Sequence, residues 1–189
     1  GGYFESPIDE LLPVSMELKE EDRRMTVAMG IVMDRSGSMS ASVGGGTKMD
    51  LANSGAARAI ELLGPMDSVT VFAVDTEAHA IVPLSQVGRD RGGLIDTVRR
   101  IQSSGGGIYV FNGLNAAWKE LKDAPQTHRH IILFSDAADS EQPQGVGGLI
   151  KEMTANQTTV SVIALGSESD SDAPFLEQIA EDGQGRIFY

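Results

Sequence analysis

The chain contains no cysteine, and it is poor in aromatic residues and in positive charge. Without cysteine it forms no disulfide, no thiolate metal site and no cysteine nucleophile. Its 15 lysines and arginines are outnumbered by 27 aspartates and glutamates, which gives a formal net charge of −12. An acidic surface repels nucleic acid and anionic lipid unless a basic patch overrides it, and the sequence shows no such patch. We therefore expect no nucleic acid among its partners.

Long apolar segments are also missing. The longest apolar run, residues 25–33, falls well short of the ~20 residues that a membrane helix needs. No signal segment opens the chain, so we expect no membrane insertion by this chain itself. The sequence starts at Gly1 without a methionine and stops at Tyr189 within a strand-like run, which indicates a piece of a larger protein.

Two regions differ in their patterning. Residues 1–24 mix apolar, proline and charged residues and are interpreted as a lead-in segment that packs on the domain, with a short edge strand near 14–18. Residues 25–189 alternate apolar, strand-like runs with segments of helical apolar spacing. This alternation predicts a single α/β domain with a doubly wound, mostly parallel central sheet flanked by helices. Residues 69–74 and 80–82 predict one antiparallel edge hairpin.

Polar residues follow two of the predicted core strands. Asp34, Ser36 and Ser38 come directly after the first strand, and Asp136 follows the strand at 131–134. In a doubly wound sheet of order 3-2-1-4-5-6 these two strands are neighbours, and ligands bind beyond their carboxyl ends. Carboxylate and hydroxyl oxygens suit Mg²⁺ or Mn²⁺, with Ca²⁺ as an alternative. The competing interpretation is that these residues only close turns and cap helices.

These motifs resemble those of a von Willebrand factor type A (VWA) domain, over roughly residues 25–189. The resemblance rests on Asp34-x-Ser36-x-Ser38 after a strand, the glycine run 105–107 before a helix, and Asp136 after another strand. It is closest to bacterial VWA modules that carry Gly-Gly-Gly-Ile-Tyr-Val and Phe-Ser-Asp-Ala-Ala-Asp, here residues 105–110 and 134–139. Such modules often belong to larger membrane-anchored proteins with a glutamine-amidotransferase-like domain.

The resemblance implies a metal-ion-dependent adhesion site (MIDAS), where the cation bridges the domain to an Asp or Glu of a partner protein. Asp34, Ser36, Ser38 and Asp136 match the family's motif positions. The family's threonine does not carry over, because Gly107 or Ile108 stands where it is expected and neither has a side-chain oxygen. Asn112 or a water is the candidate substitute. A metal-free interaction module with a degenerate site is therefore the alternative.

An enzymatic interpretation finds little support in the sequence. A hydrolase would use Ser36 or Ser38 as nucleophile with one of the three histidines as base, but neither serine lies in Gly-x-Ser-x-Gly. The glycine runs at 44–46 and 105–107 lack the spacing of phosphate-binding loops. We expect no catalytic residue and no enzymatic activity, but a monomeric module that binds an acidic residue of a protein partner.

Overall fold

The structure is a computed structural model that describes residues 26–136 and 144–189. The predicted lead-in segment, with its edge strand near 14–18, lies outside the described residues. The described part of the chain forms these elements: β1 (Val27–Asp34), β2 (Ser42–Val43), β3 (Gly46–Thr47), α1 (Lys48–Leu62), β4 (Ser68–Val74), β5 (Ala78–Gln86), α2 (Arg91–Val98), α3 (Val110–Leu121), β6 (His128–Ser135), α4 (Val146–Ala155), β7 (Thr158–Ala164), α5 (Ala173–Asp182) and β8 (Gln184–Phe188).

Six of the strands form one central sheet in the order β5-β4-β1-β6-β7-β8. Strand β5 pairs antiparallel with β4, and the other neighbours are parallel. The predicted doubly wound, mostly parallel sheet with one antiparallel edge hairpin is therefore confirmed. With the small strands β2 and β3 set aside, β1 and β6 are neighbours where the strand order reverses.

The central strand β1 is apolar because both of its faces are covered. Ile31 and Met33 pack with α1 and β4 in one core cluster, while Val32 packs with α3 in the other. Side chains alternate between the faces of a strand, so a continuous apolar run is what a two-sided core requires. Because this strand is buried, the position of Asp34, its last residue, at the carboxyl edge of the sheet is fixed.

Helix α3 packs closely against β1 and β4. A Cβ atom added to Gly113 would lie 2.5 Å from Val74 Cγ2 and 2.6 Å from Val32 Cγ1, so only glycine allows this approach. The helix starts at Val110, three residues after the glycine run 105–107. The close packing fixes the loop that precedes α3 next to the end of β1.

The glycine- and serine-rich segment after β1 folds into the small hairpin β2–β3, which the apolar pattern did not predict. Gly44 and Gly45 form its turn with φ of 57° and 95°, a region that glycine adopts readily. Thr47 then caps α1, since its hydroxyl accepts from the Asp50 N–H and its own N–H donates to the Asp50 carboxylate. The hairpin and cap together determine where α1 begins, and with it the place of Lys48.

Candidate functional site

The four predicted site residues lie together at the carboxyl edge of the sheet. Asp34 ends β1, and Asp136 directly follows the neighbouring strand β6. Ser36 and Ser38 are on the loop after β1. Side-chain hydrogen bonds connect Ser36 to Ser38 and Ser38 to Asp136. The strand order thus brings together residues that are about a hundred positions apart in the sequence.

Asp34 is fully buried at the bottom of the site. Its Oδ1 accepts a 2.8 Å bond from the Ser36 N–H, and its Oδ2 accepts a 2.6 Å bond from the Ser135 hydroxyl. The pKa of Asp34 is raised to about 6, mainly by burial and to a smaller extent by the nearby Asp136, while the hydrogen bonds from Ser135 and Ser36 oppose the shift. The two hydrogen bonds therefore fix the position of the Asp34 carboxylate, but they do not fully compensate its negative charge.

The oxygens above Asp34 have a spacing that suits a small divalent cation. Ser36 Oγ and Ser38 Oγ are 3.1 Å apart, and Ser38 Oγ donates to Asp136 Oδ1 at 3.0 Å. Neighbouring ligands in a magnesium octahedron are about 2.9 Å apart, since each lies about 2.0–2.1 Å from the ion. Both of these distances therefore match the spacing of neighbouring ligands in such an octahedron. Asp34, with both oxygens engaged, suits contact through a water.

The acidic content of the site is low. Within residues 26–136 and 144–189, no three histidine, aspartate or glutamate side chains converge as a metal-binding group. Among the residues that the structure describes, a cation here would meet two carboxylates, Asp34 and Asp136, and otherwise neutral oxygens. Hydroxyls do not neutralise a divalent charge, so a cation at this site would retain affinity for a further carboxylate.

The loop before α3 contacts the loop after β1, where the family's threonine is expected. The Gly37 N–H donates to the Gly106 carbonyl at 3.1 Å, and the Ser103 hydroxyl donates to the Ser36 carbonyl at 2.7 Å. Ile108 is fully buried in the core. Asn112, the candidate substitute, donates its amide to the Thr76 carbonyl. This loop thus shapes the site mainly through backbone contacts.

Sequence reasoning missed Lys48, the first residue of α1. Its Nζ lies 2.7 Å from Asp136 Oδ2, and the Asp136 side chain is only 1% exposed. A lysine next to a glycine run carries no recognisable motif, and its place depends on the β2–β3 hairpin. The cap formed by Thr47 and Asp50 is the one local signal that fixes the helix start.

A second acidic cluster lies on the other side of β1. Asp75, directly after β4, accepts from the Glu77 N–H, the Ser104 hydroxyl and His79, and it pairs with Arg35 Nε at 3.3 Å. Burial alone would raise the pKa of Asp75, but these hydrogen bonds and the charge of His79 lower it to about 2. The hydrogen bonds and the ion pair of Asp75 are thus made to residues other than the four predicted ligands.

The histidines are engaged elsewhere as well. His79 contacts Asp75, and His130 Nδ1 lies 2.7 Å from the Thr159 hydroxyl. Burial lowers the pKa of His130. The hydrogen bonds of these two histidines thus lead away from the site serines.

The sequence matches the von Willebrand factor type A domain family over residues 29–138, more than half of the chain. The chain therefore belongs to this family, as its motifs predict. The matched segment runs from β1 to just beyond Asp136 and includes all four predicted ligands.

Similar proteins agree with this assignment. The chain is 25% identical over 183 residues to the uncharacterized protein sll0103 of Synechocystis sp., a match that covers 94% of this chain and 41% of that protein. The conserved hypothetical protein BatB from Bacteroides thetaiotaomicron superposes with a TM-score of 0.72 at 20% identity, covering 85% of this chain and 88% of that one. A von Willebrand factor type A structure from Catenulispora acidiphila gives 0.72 at 24% identity, covering 86% and 38%. The likeness to the two solved structures shows a common fold.

The chain spans about two fifths of the length of the Synechocystis protein. None of the helices formed by residues 26–136 and 144–189 has the length and apolar character needed to cross a bilayer.

Proposed function

We propose that this chain is a protein-interaction module that captures an acidic side chain of a partner protein through Mg²⁺ or Mn²⁺. VWA domains are in general interaction modules, and the chain belongs to that family. The metal would be held by Ser36, Ser38 and Asp136, with Asp34 acting through a water. The partner's carboxylate would complete the coordination.

The observation that carries the proposal is the row of oxygens at the end of β1. Ser36 Oγ, Ser38 Oγ and Asp136 Oδ1 follow one another at 3.1 and 3.0 Å, close to the ligand spacing of an octahedral ion. Asp34 orients this row from below through the Ser36 N–H. A set of hard oxygens above a buried carboxylate favours a hard divalent cation.

The shortage of charged ligands supports capture of an acidic partner. Two carboxylates and two hydroxyls leave coordination positions to water, and a carboxylate of the partner would take one of these positions. The net charge of −12 acts against this, because it slows the approach of an acidic protein at low salt. Recognition of an acidic partner would then depend on the bound cation more than on the electrostatic field of the whole protein.

A second candidate is a metal-free interaction module with a degenerate site. The ion pair between Lys48 and Asp136 favours it, since an ammonium already neutralises the Asp136 carboxylate. The buried Ile108 near the expected threonine position favours it as well. In both cases we propose no catalytic role for the site.

The parent protein is also a matter of proposal. Because the chain spans only part of the Synechocystis protein, other domains would determine where the module works. The membrane-anchored parent with a glutamine-amidotransferase-like domain stays a prediction, as does the monomeric state.

The test is calorimetric titration of Mn²⁺ and Mg²⁺ into the metal-stripped protein, with Asp34→Ala as the variant. We expect saturable binding in the wild type and none in Asp34→Ala. Asp96→Ala, which removes an exposed carboxylate of α2, is the charge-matched control and should bind like the wild type. Absence of saturable binding in the wild type would contradict the metal site and favour the metal-free module.

A further inference from the structure

The ammonium of Lys48 lies at the position next to Asp136 where a cation is expected. Its Nζ donates to Asp136 Oδ2 at 2.7 Å, while Asp136 Oδ1 accepts from Ser38. Four fifths of the Lys48 side chain is withdrawn from solvent, and the Asp136 side chain is almost fully buried. An ammonium and a divalent ion that share one carboxylate repel each other, so each weakens the binding of the other.

The place of Lys48 at the start of α1 is otherwise unfavourable. The N-terminal turn of a helix carries partial positive charge and stabilises acidic rather than basic side chains. Asp50 in the same turn follows that rule, whereas Lys48 does not. Its charge is balanced by Asp136, a residue 88 positions away in the sequence. The contact across the crevice, rather than helix stability, therefore accounts for a lysine here.

A second carboxylate lies within the electrostatic reach of Lys48. Asp170, on the exposed loop between β7 and α5, has its pKa lowered by hydrogen bonds from Ser167 and, in addition, by the charge of Lys48. The charge of Lys48 therefore acts on an exposed carboxylate as well as on the buried one. Its flexible stem allows the ammonium to leave Asp136 without entering an environment free of negative charge.

This inference rests on the function proposed above. We propose that Lys48 is a built-in counter-ion of the site and that a divalent cation, when it binds, displaces the Lys48 ammonium from Asp136. In the metal-free protein the ammonium neutralises the buried carboxylate. A divalent ion carries twice the charge and approaches oxygen to about 2.1 Å instead of 2.7 Å, so its bare attraction is about 2.6 times larger. Lys48 therefore weakens metal binding and reduces the cost of the empty site.

The experiment compares Lys48→Met with Lys151→Met at constant ionic strength. Methionine keeps the apolar stem and removes the charge, and Lys151 is an exposed lysine of α4 away from the site. In calorimetric titrations with Mn²⁺ we expect Lys48→Met to bind at least ten times more tightly than the wild type. Lys151→Met should stay within threefold. In EDTA, Lys48→Met should melt below Lys151→Met, and saturating Mn²⁺ should remove that difference.

Lys48→Arg is the second variant, and it preserves the charge if the methionine variant folds poorly. A guanidinium holds a carboxylate with two donors and is harder to displace, so we expect Mn²⁺ affinity at least threefold below the wild type. The wild-type titration alone tests the proposed function, while the ratio between variants tests this inference. Equal affinities in wild type and Lys48→Met would overturn the inference and leave the proposed function intact. No binding in any variant would overturn both, and binding only in Lys48→Met would support the inference and overturn the metal-dependent function of the wild type.

Discussion

Two acidic clusters lie on opposite sides of strand β1, and they differ in how their charges are balanced. On the β4 side, Asp75 is held by Arg35, His79 and Ser104 together. On the β6 side, the buried Asp34 accepts from the neutral donors Ser36 and Ser135, and Asp136 pairs with the ammonium of Lys48. In the first cluster, several donors fixed by the fold neutralise the charge of the Asp75 carboxylate. The second includes an ion pair with a flexible lysine, which suits a site for an exchangeable ion.

The two pKa shifts express the same difference. Several donors lower the pKa of Asp75 to about 2, whereas burial raises that of Asp34 to about 6. A carboxylate with a lowered pKa already has its ionised form stabilised by the protein. A carboxylate with a raised pKa has an ionised form that the protein does not stabilise, so an added cation can stabilise it. Whether an acidic residue after a parallel strand can bind a metal or only supports the fold thus depends more on its hydrogen-bond donors and ion-pair partners than on its position in the sequence.

The largest expected contrast is in metal binding. Asp136→Asn removes a predicted direct ligand charge, so we expect Mn²⁺ affinity to fall by at least about 100-fold, beyond the roughly 10–100-fold typical of outer-sphere partners. Asp75→Asn, its matched control, should stay within threefold. In thermal melts, Mg²⁺ at a hundred times its dissociation constant should raise the Tm of the wild type and Asp75→Asn by about 5–10 °C. A similar loss in both variants would remove the distinction between the clusters.

A second contrast is the pH dependence of stability in EDTA. Folded Asp34 keeps its proton up to about pH 6, above its ordinary pKa of 3.8, so its contribution to stability falls as the pH rises from about 4 to 6. Asp75 is shifted to about 2, so its contribution is complete above about pH 4 and is lost on acidification toward 2. Urea unfolding of Asp34→Asn and Asp75→Asn between pH 3 and 7 should show opposite trends against the wild type. Parallel trends would contradict the assignment.

The smallest effect is expected from the ion pair of the second cluster. Arg35→Ala removes one donor from Asp75 but leaves the Glu77 N–H, His79 and Ser104. A partly exposed pair of this kind is worth about 1 kcal/mol or less, or a Tm change of about 2–4 °C. Mn²⁺ affinity measured on the same variant should remain within threefold. A large loss of affinity would show that the two sides of β1 are coupled.

Much of the fold could be predicted from the sequence because its core strands are buried on both faces. The continuous apolar run of β1 is typical of a strand buried on both faces, and the apolar spacing of α1 is typical of a helix with one buried face. The strand order followed from the doubly wound pattern, and it placed Asp34 near Asp136 correctly. The β2–β3 hairpin was missed, because two-residue strands leave no periodic signal.

The site was predictable only in part. The Asp34-x-Ser36-x-Ser38 motif and Asp136 have recognisable positions after strands, and the structure brings them together. The Lys48 ammonium and the Ser135 hydroxyl could not be assigned, since both act through contacts that only the folded chain defines. Their roles depend on charge balance in the crevice, which local spacing does not encode.

Location of the ion by anomalous diffraction from crystals of the Mn²⁺-loaded protein tests the central claim most directly. We predict one Mn²⁺ peak between Ser36 Oγ, Ser38 Oγ and Asp136, with the Lys48 ammonium moved away from Asp136. A peak at Asp75 instead, or no peak at the end of β1 in crystals soaked at saturating Mn²⁺, would contradict the account.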